Sequence, residues 1–72
     1  MLLNDVQKKT IRQLPDGENY TIGGVSIGEE KRYEVHRVSE TEWKAAVYAL
    51  MICLYVDYFS STDEVINFIE SH

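Results

Sequence analysis

Cysteine is almost absent: Cys53 stands alone among 72 residues, which excludes an intrachain disulfide and points to a reducing compartment. Histidine is as sparse. His36 and His72 form with Cys53 none of the close pairs that build a tetrahedral zinc site, so neither a metal nor a cofactor is expected. Bases are outnumbered, with seven Lys and Arg against twelve Asp and Glu and a net charge of -5. The imbalance is local: charges cancel over residues 1–38, whereas over residues 39–72 Lys44 is the only base. A field of that sign repels phosphates and disfavours direct nucleic-acid binding through the second half. No basic and apolar leader follows Met1, and Asn4 and Asp5 come at once, so the chain is expected in the cytoplasm. The longest apolar run, Ala45 to Phe59, is broken by Asp57; as a helix it would span about 22 Å, short of the ~30 Å hydrocarbon core.

A chain this short makes one domain, residues 1–72, that buries only about 60% of its unfolded surface. With disulfide and metal excluded, oligomerisation is the remaining way to gain stability. The spacing of Leu3, Val6, Thr10 and Leu14 predicts a helix ending at Pro15, followed by a turn at Pro15-Asp16-Gly17. Gly23-Gly24 suits a tight hairpin pairing Ile22 with Val25 and Tyr20 with Ile27; a single longer strand bulged at these glycines is the alternative. Residues 32–38 alternate, with Tyr33, Val35 and Arg37 on one side and Glu34, His36 and Val38 on the other, as a third strand does.

Ser39 with Glu42 has the spacing of a capping box, predicting a long helix over about 40–59. Ser61 with Glu64 repeats it before the stripe of Val65, Phe68 and Ile69, predicting a short final helix. The expected fold is therefore α+β: an N-terminal helix, a three-stranded antiparallel meander, a long helix packed on the sheet, and a short C-terminal helix. At helical spacing Trp43, Val47, Leu50, Leu54 and Tyr58 would face the sheet. Tyr48, Ile52, Tyr55, Val56 and Phe59 would then lie on the opposite side, where a surface helix ordinarily carries charge. That second apolar face predicts self-association, a twofold homodimer by default.

Chemistry-bearing residues do not converge. Cys53 would be a packing residue within the long helix, His36 an exposed strand histidine and Asp57 a solvated helix margin. Ile22 to Gly28 lacks the Gly-Lys-Ser/Thr of a phosphate loop. The helix, meander, helix order is similar to that of double-stranded-RNA-binding domains, but Ser39-Glu40-Thr41-Glu42 has the wrong sign for a helix that meets phosphates. No enzymatic activity is expected. The chain reads as a small acidic protein-protein interaction module, a homodimer that binds and regulates or inhibits a partner protein. It would bind through its acidic helical surface, with Glu40, Glu42, Asp63, Glu64 and Glu70 as the candidate residues, through the free edge of the meander, or through both. A sharper version has those carboxylates mimic nucleic acid before a basic DNA- or RNA-directed enzyme, in which respect the chain resembles phage-encoded inhibitors. A rival of another class is a small-molecule sensor with an aromatic pocket from Tyr20, Tyr33, Trp43 and Tyr48.

Overall fold

The computed structural model describes residues 1–72. Helix α1 (Asp5–Arg12) is followed by β1 (Asn19–Gly23), a 3-10 turn at Val25–Ile27, β2 (Lys31–Ser39), β3 (Glu42–Ala49), β4 (Ile52–Phe59) and α2 (Thr62–Ser71). The strands form one antiparallel meander in the order β1-β2-β3-β4. No helix is long and apolar enough to cross a membrane.

The long helix expected over 40–59 does not exist. That segment is a β-hairpin, and the sheet has four strands rather than three. The apparent capping box is used differently, since the Ser39 hydroxyl accepts from the Thr41 N–H at 3.3 Å, which closes a turn instead of starting a helix. Beyond it, Trp43, Val47, Tyr48, Ile52, Tyr55, Val56, Tyr58 and Phe59 are β-branched or aromatic residues that suit a pleated surface. Leu50 supplies the reversal. It is the one non-glycine residue with positive φ, at 56°, and Leu50-Met51 joins β3 to β4, with Ala49 opposite Ile52.

The Gly-Gly hairpin is also overturned. Gly23 and Gly24 take φ of 79° and 107° but turn the chain into the 3-10 segment, leaving Val25 and Ile27 exposed. Strand β1 pairs instead with β2, Ile22 opposite Tyr33 and Tyr20 opposite Val35. The glycines admit a close approach, for the Gly24 N–H donates to the Lys31 carbonyl at 3.0 Å.

Both helices cover the same face of the sheet. The core joins Leu3, Ile11 and Leu14 of the N-terminal region, Ile22, Tyr33, Val35, Trp43, Ala45 and Val47 of the strands, and Val65, Ile66 and Ile69 of α2. The expected α1 stripe is thus partly wrong: Val6 is exposed and Ile11 is the buried anchor. Asn4 caps α1, its Oδ1 accepting from the Gln7 N–H at 2.8 Å while Gln7 Oε1 accepts from the Asn4 N–H at 2.9 Å. Ser61 caps α2 by accepting from the Glu64 N–H at 3.3 Å. Arg37 ties the sheet to both neighbouring turns. It donates to the carbonyls of Leu14 (2.8 Å), Glu40 (2.9 Å) and Ser39 (3.2 Å), meets the Asp16 carboxylate at 3.1 Å and lies 5.0 Å over the Trp43 ring.

Candidate interaction surface

Strand alternation leaves the other sheet face uncovered. Opposite the core positions of β2 and β3 stand Arg32, Glu34 and His36, then Lys44, Ala46 and Tyr48. The paired register continues the face onto β4 through Val56 beside Ala46 and Tyr58 beside Lys44. The face is therefore divided. Its β1–β2 half is polar: His36 Nδ1–H donates to Asn19 Oδ1 at 2.6 Å, and Arg32 Nε meets the Glu34 carboxylate at 2.7 Å while stacking 4.5 Å over the Tyr48 ring. Asn19, Glu34, His36 and Tyr48, with Lys44 and Ala46, border a cleft. The β3–β4 half of the face is apolar apart from Lys44.

Strand β4 is also a free edge. All its residues except Phe59 are exposed, and Val56 and Tyr58 keep 50% and 55% of their surface in solvent. Which backbone groups point outward follows from alternation. The Arg37 N–H donates to the Glu18 carbonyl and the Lys31 carbonyl accepts from Gly24, so odd residues of β2 bond toward β1 and even ones toward β3. Carried through the registers, Trp43, Ala45 and Val47 bond to Phe59, Asp57 and Tyr55. The amides of Val56 and Tyr58 then face solvent. Tyr58 shows this directly, because its N–H is taken by the Asp57 carboxylate at 2.8 Å. A bulge between Val47 and Tyr48, with Leu54 as the extra residue on β4, sharpens the local twist.

The five residues expected on one association face are divided by the strand period. Tyr48 and Val56 lie on the open face, and Ile52 sits exposed at the hairpin end. Tyr55 and Phe59 point to the helical side, Tyr55 stacking on His72 (ring centroids 4.3 Å) and Phe59 packing on Phe68 (5.3 Å). Leu50, Leu54 and Tyr58, expected to be buried, are exposed instead. Cys53, expected in packing, is exposed too.

The five acids do not form one patch. Glu42 and Glu64 border a groove with Ser39, Thr41, Tyr58, Phe59 and Ser60, and Glu40 lies in the adjacent turn. Glu64 accepts from the Ser60 and Ser61 hydroxyls at 3.2 and 3.0 Å. Asp63 pairs with Arg12 at 2.6 Å, and Glu70 accepts from the Leu3 N–H at 3.1 Å, so both tie the N-terminal region to α2. The four aromatic residues of the sensor alternative are likewise separated: Tyr20, Tyr33 and Trp43 belong to or pack on the core, and Tyr48 is on the open face. Burial, reinforced by Glu29, raises the Tyr33 phenol above its ordinary value of 10.0. No three His, Cys, Asp or Glu side chains stand close enough to hold a metal ion. Sequence patterning gave the meander a free edge but did not place it on β4, which it read as helix; the alternation of Lys44, Ala46 and Tyr48 with Trp43, Ala45 and Val47 was the available signal. The chain matches no protein-family model, no curated protein and no solved structure.

Proposed function

We propose that this chain is a non-catalytic interaction module that pairs with a second copy of itself through β4 and presents the resulting dimer to a partner protein. The observation that carries this reading is an eight-residue edge strand, Ile52–Phe59, with one charge and almost continuous exposure. Natural edge strands are usually short, charged or covered; β4 carries a single charge and one bulge but is long and uncovered, which favours pairing. A second copy suits it in chemistry: Leu50, Met51, Ile52, Leu54, Tyr55, Val56 and Tyr58 are all exposed, Met51 to 95%, and the same apolar strand edge on another copy is complementary to them. Antiparallel pairing of identical strands is isologous, so it closes at two copies.

Sedimentation velocity across a concentration series tests the reading. Wild type should show a reversible dimer. Val56→Lys, which places a charge at an exposed edge position without touching the core, should be monomeric with an unchanged far-ultraviolet spectrum. A wild type still monomeric at ~1 mM, where association would be weaker than about 4 kcal/mol, refutes self-association.

A further inference from the structure

We propose that the Asp57 carboxylate is a removable cap on the β4 edge that holds pairing between copies in check; the inference rests on the edge-strand reading above. Adding a strand requires each outward N–H and carbonyl of β4 to meet a complement. Alternation assigns the outward groups to Val56 and Tyr58, and at Tyr58 the donor is already satisfied, Asp57 Oδ1 lying 2.8 Å from the N–H. The acceptor belongs to the preceding residue of the same strand, so the contact is local and needs no other element. Asp57 is exposed and lies in no ion pair, which leaves its side chain free to rotate away.

The strand's own pattern selects a register. Twofold antiparallel pairing centred on Val56 sets Val56 against Val56 of the second copy, Tyr58 against Leu54 and Asp57 against Tyr55. Apolar side chains then meet on the open face, and the carboxylate faces a phenol on the other. Pairing centred on Asp57 would instead bring two carboxylates to about 5 Å across the axis, which is destabilising. By the same alternation Leu54 also presents its carbonyl outward, and in the favoured register each Tyr58 N–H must donate to the Leu54 carbonyl of the other copy, so both Asp57 caps must be displaced before the ladder completes. Asp57 therefore sets how readily copies pair, and it does so by occupying a donor rather than by blocking space.

Asp57→Ala removes the cap, whereas Asp57→Asn removes the charge but keeps an acceptor oxygen in the same place. Sedimentation velocity on wild type and both variants separates the cases. The cap predicts a dimer dissociation constant for Asp57→Ala roughly 25- to 100-fold lower than wild type, two released amides at a factor of about 5–10 each, with Asp57→Asn close to wild type. Equal tightening in both variants would show that charge alone acts and overturns the cap. Dimerisation of wild type with no tightening in Asp57→Ala overturns the cap while leaving edge pairing intact. Monomers throughout, for wild type and both variants, overturn edge pairing and the cap with it. Amide exchange by NMR in dilute monomer gives an independent readout: Tyr58 N–H should exchange faster in Asp57→Ala than in wild type, and an unchanged rate also refutes the proposal.

Discussion

Replacing Arg37 tests how this small fold is held together. Its guanidinium donates to carbonyls from two separate turns, Leu14 on one side and Ser39 and Glu40 on the other, with the Asp16 carboxylate alongside. Hydrogen bonds from a charged donor contribute about 1.5–3 kcal/mol each. Simple addition overstates the loss, because Ser39 and Glu40 lie in an exposed turn and their carbonyls regain water when the side chain is removed. The bond to Leu14 is part-buried, and the Arg37 side chain itself is only 20% exposed. Arg37→Ala should therefore cost about 2–4 kcal/mol, much of the ~4–11 kcal/mol expected for a domain of this length. At about 4–8 °C per kcal/mol this lowers the melting midpoint by roughly 10–30 °C. Arg37→Lys keeps the charge but loses the planar fork that reaches both turns at once, and it should recover less than half of the loss. Urea unfolding followed by circular dichroism, with thermal melts alongside, measures both variants. If Arg37→Lys matches wild type to within about 0.5 kcal/mol, the size of an ordinary surface substitution, the bridging role assigned to the guanidinium is wrong.

Five further substitutions address the turns and the core. Leu50→Gly should raise stability by about 0.5–1 kcal/mol in urea unfolding, since relief of left-handed strain at φ 56° outweighs the added freedom of the unfolded chain. Gly23→Ala should cost about 2–4 kcal/mol, because a Cβ there would lie 2.6 Å from the Lys31 carbonyl oxygen; Gly17→Ala, also at positive φ but with nothing within 4 Å, should cost only about 1–2 kcal/mol. Trp43→Phe should change stability by less than about 1 kcal/mol, because the buried Trp43 Nε1 has no hydrogen-bond partner and removing that donor offsets the lost packing; a loss above 3 kcal/mol would refute this balance. Tyr33 is raised by burial, then by Glu29, so folding favours its neutral form. Its contribution is complete below the unfolded value of 10.0 and disappears as pH rises through the folded value. Alkaline unfolding should be less steep in Tyr33→Phe, and identical pH profiles would contradict the assigned shift.

Local chemistry determined a good deal of this protein without tertiary help. The alternation of Tyr33 and Val35 marks β2, Ser61 with Glu64 marks the start of α2, and the single Cys53 excludes a disulfide, because these features depend only on strand period, capping or composition. Residues 43–59 were ambiguous in sequence. Trp43 and Val47, and again Leu54 and Tyr58, stand four residues apart, close to one helical turn and an even number of strand residues alike, so this spacing permits both forms. The decision was made by partners far along the chain: β2 takes β3 as its neighbour, Val35 opposite Ala45 and Tyr33 opposite Val47, and α2 then closes over the same side with Val65 and Ile69. Only that assembly buries Val47 fully while leaving Val56 in solvent. Excess apolar surface was legible from residues 45–59; that it would take the form of an open sheet face and a free edge, with Tyr55 and Phe59 turned away from Tyr48 and Val56, required pairing between segments that sequence spacing does not record.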